Sequence, residues 1–149
     1  MNHIEELTVE IDPWINEKLF ELLELNEKAK RRGEPVILPF VMTGDSDGEN
    51  LTAFPLHDYV ECVTEAIKYA IDQRQMRQYI ILGYDGYLTH DGLRTDALFY
   101  KAYQHGTDGW LNFAQRYRPK KLFSPYKRIG SMLFIDATAE LDYGSVSSQ

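Results

Sequence analysis

The sequence predicts an α+β fold: an antiparallel sheet of about 5–6 strands with two amphipathic helices, in the order α-β-β-α-β-β-β-β. Two stretches, one following Asp12 and one following Pro55, repeat apolar residues at helical spacing. From Gln78 onward the chain reads as strands between turn signals. Within that region Asp91-Gly92 is a strong signal for a two-residue hairpin turn, because both residues tolerate positive φ.

The first helix is bounded by its own chemistry. Asp12 suits an N-cap, Pro13 the first helical position, and Gly33 the left-handed residue after the basic turn Lys30-Arg31-Arg32. Ile15, Leu19, Leu22, Leu23 and Ala29 mark its buried stripe, and Glu24/Lys28 and Glu27/Arg31 read as outward pairs at four-residue spacing. Pro35–Thr43 reads as a strand, and Pro39 within it predicts an edge position or a bulge. Gly44–Asn50 reads as a turn and Leu51–Phe54 as a short return strand. A second helix starting near Pro55 and ending near Arg74 buries Leu56, Val60, Val63, Ile67 and Ala70/Ile71.

Strands follow at Tyr79–His90, Thr95–Gln104, Trp110–Arg118 and Ile129–Ala137, with a loop at Pro119–Lys127. Short connections predict a meander with both helices on one face. Gly83 and Gly86 interrupt the first of these strands; a bulge is the favoured reading, a close approach of another chain or a ligand the alternative.

Size and composition narrow the function classes. At 149 residues, 44% of them apolar and 26% charged, the chain reads as a single domain over 1–143 with a frayed tail at 144–149. Cys62 is the lone cysteine, so an intramolecular disulfide is excluded. No apolar run reaches membrane-span length, and the N-terminus lacks the basic and apolar regions of a signal peptide. A soluble, cytoplasmic protein with no membrane partner is the expectation. The net charge of −7 conceals a split: residues 116–128 carry +6 with no acid, and the remainder carries −13. The acidic remainder disfavours indiscriminate nucleic-acid binding.

Hairpin register supplies the most specific site. With Asp91-Gly92 in a type I′ turn, His90 faces Leu93, Tyr87 faces Asp96 and Asp85 faces Leu98. Pairing Tyr103 with Trp110 then sets Asp96 opposite Tyr117 and Leu98 opposite Gln115. Alternation places Asp85, Tyr87, Asp96, Gln115 and Tyr117 on one face, as a candidate ligand site in which two carboxylates near phenols can bind a cation, serve as acid and base, or hold a polar ligand. A solvated sheet end is the competing reading of the same five residues.

The basic segment interleaves cations with aromatics. Arg116, Arg118, Lys120, Lys121, Phe123, Tyr126, Lys127 and Arg128 are the candidate partner contacts, on a loop stiffened by Pro119 and Pro125. Its targets, besides plain solvent, are an acidic protein surface, including another copy of this chain in a homodimer, or a nucleic acid or phosphorylated ligand. No cofactor and no metal is expected: His3, His57, His90 and His105 lack ligand spacing, and Asp45–Asn50 departs from the calcium-loop template. Cys62 lies within the second helix beside its buried stripe, and neither a nucleophile elbow nor a phosphate loop occurs.

The leading expectation is a non-enzymatic protein-binding or regulatory domain. The alternative is a small-ligand-binding protein or enzyme working through the Asp/Tyr cluster, and the third is weak nucleic-acid binding through 116–128.

Overall fold

In the computed structural model, which describes residues 4–5, 11–33, 39–54, 58–104 and 109–141, Asp12 opens helix α1 (Pro13–Arg32) by accepting the Trp14 N–H at 2.8 Å. Gly33 closes it at φ 69°, its N–H directed to the carbonyls of Ala29 and Lys30. Helix α2 (Tyr59–Gln73) begins on Asp58, whose carboxylate accepts the Val60 N–H. Its buried face is Cys62, Val63, Ala66, Ile67 and Ala70. Val60 is exposed, one position off the stripe expected for it. The proposed start at Pro55 and the tail 144–149 lie outside the described residues.

Six strands form the antiparallel sheet: β2 (Phe40–Asp45), β3 (Gly48–Ala53), β4 (Tyr79–His90), β5 (Leu93–Gln104), β6 (Trp110–Arg118) and β7 (Lys127–Thr138). Their spatial order is β7-β6-β5-β4-β2-β3. A two-residue strand, β1 (Ile4–Glu5), adds to β7 in parallel and is not among the expected elements. Apart from it, the chain order is the predicted one.

Three local expectations need correction. β2 begins at Phe40, so Pro39 stands before the strand, and β2 lies inside the sheet between β4 and β3; residues 34–38 are outside the described set. The β2–β3 turn is two residues, Ser46-Asp47, tightened by the Asp47 N–H on Asp45 Oδ1. β4 pairs continuously with β5 through Gly83 and Gly86, so neither glycine marks a bulge. The irregularities lie between β6 and β7, where Gly130 has φ 63°.

The helices cover opposite faces, not one. Ile15, Leu19, Phe20 and Leu23 of α1 pack with Phe40, Ile81, Leu98, Tyr100 and Phe113. Val63, Ala66, Ile67 and Ala70 of α2 pack with Val41, Ile80, Leu82, Tyr84 and Trp110. Ile80 and Ile81 are neighbours in β4, so these two cores lie on its two sides. The apolar run Ile80-Ile81-Leu82 is the sequence mark of a strand buried on both faces. Among the described residues, no helix is long and apolar enough to cross a membrane.

Candidate functional site

The register that builds the site is the predicted one. Asp91 and Gly92 have φ 53° and 79°, the positive pair a type I′ turn requires. Tyr87 pairs with Asp96, Asp85 with Leu98, Asp96 with Tyr117 and Leu98 with Gln115. β2 pairs with β4 only as far as Gly83, so β4 runs on past it. There a cleft of about 280 Å³ opens, lined by Tyr59, Asp85, Gly86, Tyr87 and Asp96.

Asp85 is held from three directions. Lys30, in the last turn of α1, donates to Oδ2 at 2.7 Å, and the Tyr117 hydroxyl donates to Oδ1 at 2.8 Å. The Lys30 ammonium also lies 5.0 Å from the centre of the Tyr117 ring. From the α2 side, the Tyr59 hydroxyl donates to the Asp85 carbonyl at 2.9 Å and accepts from the Asp85 N–H. It thus satisfies both backbone groups where β4 has outrun β2. Burial pushes the Tyr59 and Tyr117 hydroxyls above the usual phenol range, and the Asp85 charge adds to this, so both remain protonated donors.

Asp96 is different. It is partly buried, and among the described residues its carboxylate shares no hydrogen bond with another residue. Burial, and then the Asp85 charge, raise it above the ordinary carboxylate range, opposed by Lys30 and Lys121. Tyr87 forms an exposed wall, with the Arg94 guanidinium 4.6 Å from its ring centre.

Asp85, Tyr87, Asp96 and Tyr117 therefore come together. Gln115 does not join them: it is fully buried, and its amide donates to the carbonyls of Arg116, Ile129 and Gly130 where β7 is irregular. Lys30 and Tyr59 were missed, because each reaches the site from a helix and no local pattern in the chain marks that approach. Comparison with protein-family models, curated proteins and solved structures finds no match.

The basic segment separates into a foundation and a tip. Tyr126 is buried, stacks on Tyr117 at 5.1 Å and donates to Glu27 at 2.9 Å. Arg128 makes a two-point contact with the same carboxylate, at 3.0 and 2.6 Å. Arg116 is partly buried, its guanidinium beside Gly130. Tyr126 is thus withdrawn from the surface on which it was expected, while Arg116 and Arg128 are half-buried and tied into the fold. Arg118, Lys120, Lys121, Phe123 and Lys127 are exposed, and so is Leu122, which is not among the expected contacts. Among the described residues, no three of His, Cys, Asp and Glu gather as a metal ion would need; His3, His57 and His105 lie outside them.

Proposed function

We propose that this chain is a non-enzymatic binding domain whose cleft at Asp85 and Asp96 receives a cationic group, an amine or guanidinium carried by a small ligand or by a partner's side chain. Asp96 supports this reading most directly. It is a partly buried carboxylate beside a second one, and among the described residues the nearby Lys30 is paired with Asp85, so an incoming ammonium would relieve both the desolvation and the repulsion. Tyr87 and Tyr59 line the same cleft and give it aromatic walls. Catalysis is less well supported. A general acid–base pair needs two groups free to exchange protons, and Asp85, Tyr59 and Tyr117 are committed to one another.

The test is an amide-resolved NMR titration with putrescine, agmatine and a short arginine peptide, which separates small ligands from peptide partners. Shifts should centre on Gly86, Tyr87 and Asp96. Asp96→Asn should weaken binding roughly ten- to hundred-fold, the worth of a charge-assisted contact. The pH dependence follows from the direction of the Asp96 shift. A cation binds the ionised form, so affinity should climb with pH through the raised Asp96 value and then level off. In D96N that slope should vanish. The variant should fold at least as well as the parent at neutral pH, because a raised carboxylate opposes folding once ionised. Millimolar cations that leave the cleft amides unmoved would end the proposal, as would undiminished binding by D96N.

A further inference from the structure

Pro119 to Tyr126 form a finger whose base is fixed and whose apex is exposed. At its base Tyr126 is clamped between Tyr117 and Glu27, and Arg128 is tied to the same Glu27. At its apex Lys121 and Ser124 exchange backbone hydrogen bonds at 2.8 and 3.2 Å, closing a two-residue turn over Leu122 and Phe123. Those two side chains are 89% and 93% exposed, more than any other large apolar residue described.

Turn geometry does not require them. Asp91 is the one described non-glycine residue with positive φ, so the apex adopts ordinary backbone angles that polar residues would fill equally well. Around the apex stand the exposed cations Arg118, Lys120, Lys121 and Lys127. Two strands away in the meander, the Asp91-Gly92 turn lies at the same end of the sheet and presents Leu93, which is 61% exposed. Asp91 is the acid on that neighbouring turn.

We infer that this finger is an anchor for anionic membrane surfaces, with Leu122 and Phe123 entering the headgroup region and the cations pairing with lipid phosphates and carboxylates. Two features favour lipid over a protein partner. The apolar group is a convex point rather than a flat patch, and a bilayer receives a point without needing a matching pocket. The charge split also orients the molecule, since the exposed cations Arg118, Lys120, Lys121 and Lys127, on a chain of net charge −7, turn that end toward a negative surface and hold the acidic body away. Attachment is peripheral and reversible, as two apolar side chains and a basic collar permit. This departs from the absence of a membrane partner expected from composition, which addressed spanning segments only.

Co-sedimentation with vesicles tests it, using phosphatidylcholine alone and phosphatidylcholine containing about one-third phosphatidylserine. The full chain should pellet with the anionic vesicles, less so as salt rises, and stay in solution with the neutral ones. Leu122→Ser with Phe123→Ser should reduce partitioning at least roughly ten-fold. Lys120→Ala with Lys121→Ala should reduce it about 25-fold, about five-fold per cation removed. All four side chains are exposed, so both variants should keep the parent circular dichroism and melting temperature. A Phe123→Trp reporter in the otherwise intact chain should shift its emission to the blue on anionic vesicles. Failure to pellet with either vesicle overturns the proposal, whatever soluble protein the finger then binds. It is equally overturned if the Leu122/Phe123 variant pellets like the parent. A dimer by light scattering that this variant dissolves would also overturn it, and assign the finger to a second copy.

Discussion

Replacing Glu27 by Ala should lower stability by about 3 kcal/mol and the melting temperature by about 10 °C. Glu27 lies on α1 with 2% of its side chain exposed, and it receives the Tyr126 hydroxyl and two Arg128 nitrogens. Breaking a buried ion pair by removing one partner typically costs about 3–5 kcal/mol, because the other charge is left without compensation. Arg128 is 36% exposed and can turn toward water, which places the expected loss at the low end of that range. The loss also reaches Tyr126. Burial and the Glu27 charge push its hydroxyl up and keep it protonated, so without Glu27 it is a buried donor with no acceptor. Glu24, one turn away and exposed, is the control, and Glu24→Ala should change stability by less than about 0.5 kcal/mol. Equal unfolding midpoints for the two variants would show that the Glu27 cluster contributes nothing.

Gly83→Ala should destabilise by about 2 kcal/mol, although alanine suits a strand better than glycine. A Cβ at this position would overlap the ring of Phe40, which is 1% exposed and packed among α1 and the sheet. An interior packed to crystal-like density has no room for the ring to retreat. Phe40→Leu should relieve part of the overlap. The double variant should therefore be more stable than the two single losses predict, by about 1 kcal/mol or more in a double-mutant cycle. Strict additivity in urea denaturation would show that the clash is absorbed elsewhere.

These two residues show where the chain was legible. A glycine within a strand was read as a bulge or as the close approach of another chain or a ligand; at Gly83 it is neither, because the ring of Phe40, 43 positions earlier in the same chain, occupies the space a Cβ would take. Glu27 at four-residue spacing from Arg31 looked like an ordinary outward pair. Its principal cation is Arg128, 101 positions away, while Arg31 stands at 4.0 Å. Gln115 followed strand alternation onto the cluster face, yet its amide serves carbonyls freed where β7 departs from regular pairing, which nothing in β6 signals.

What the sequence determined by itself is local. The caps of α1 and the Asp91-Gly92 reversal each depend on a few consecutive residues, and the reversal carries strand alternation with it. The meeting of Asp85, Tyr87, Asp96 and Tyr117 therefore followed from the chain alone. Only the tertiary structure decided which face each helix covers, and with that the burial of Glu27 and the arrival of Lys30 and Tyr59 at Asp85. Those contacts join residues 26 to 101 positions apart, and their energies arise from packing and desolvation that exist only once the layers have closed.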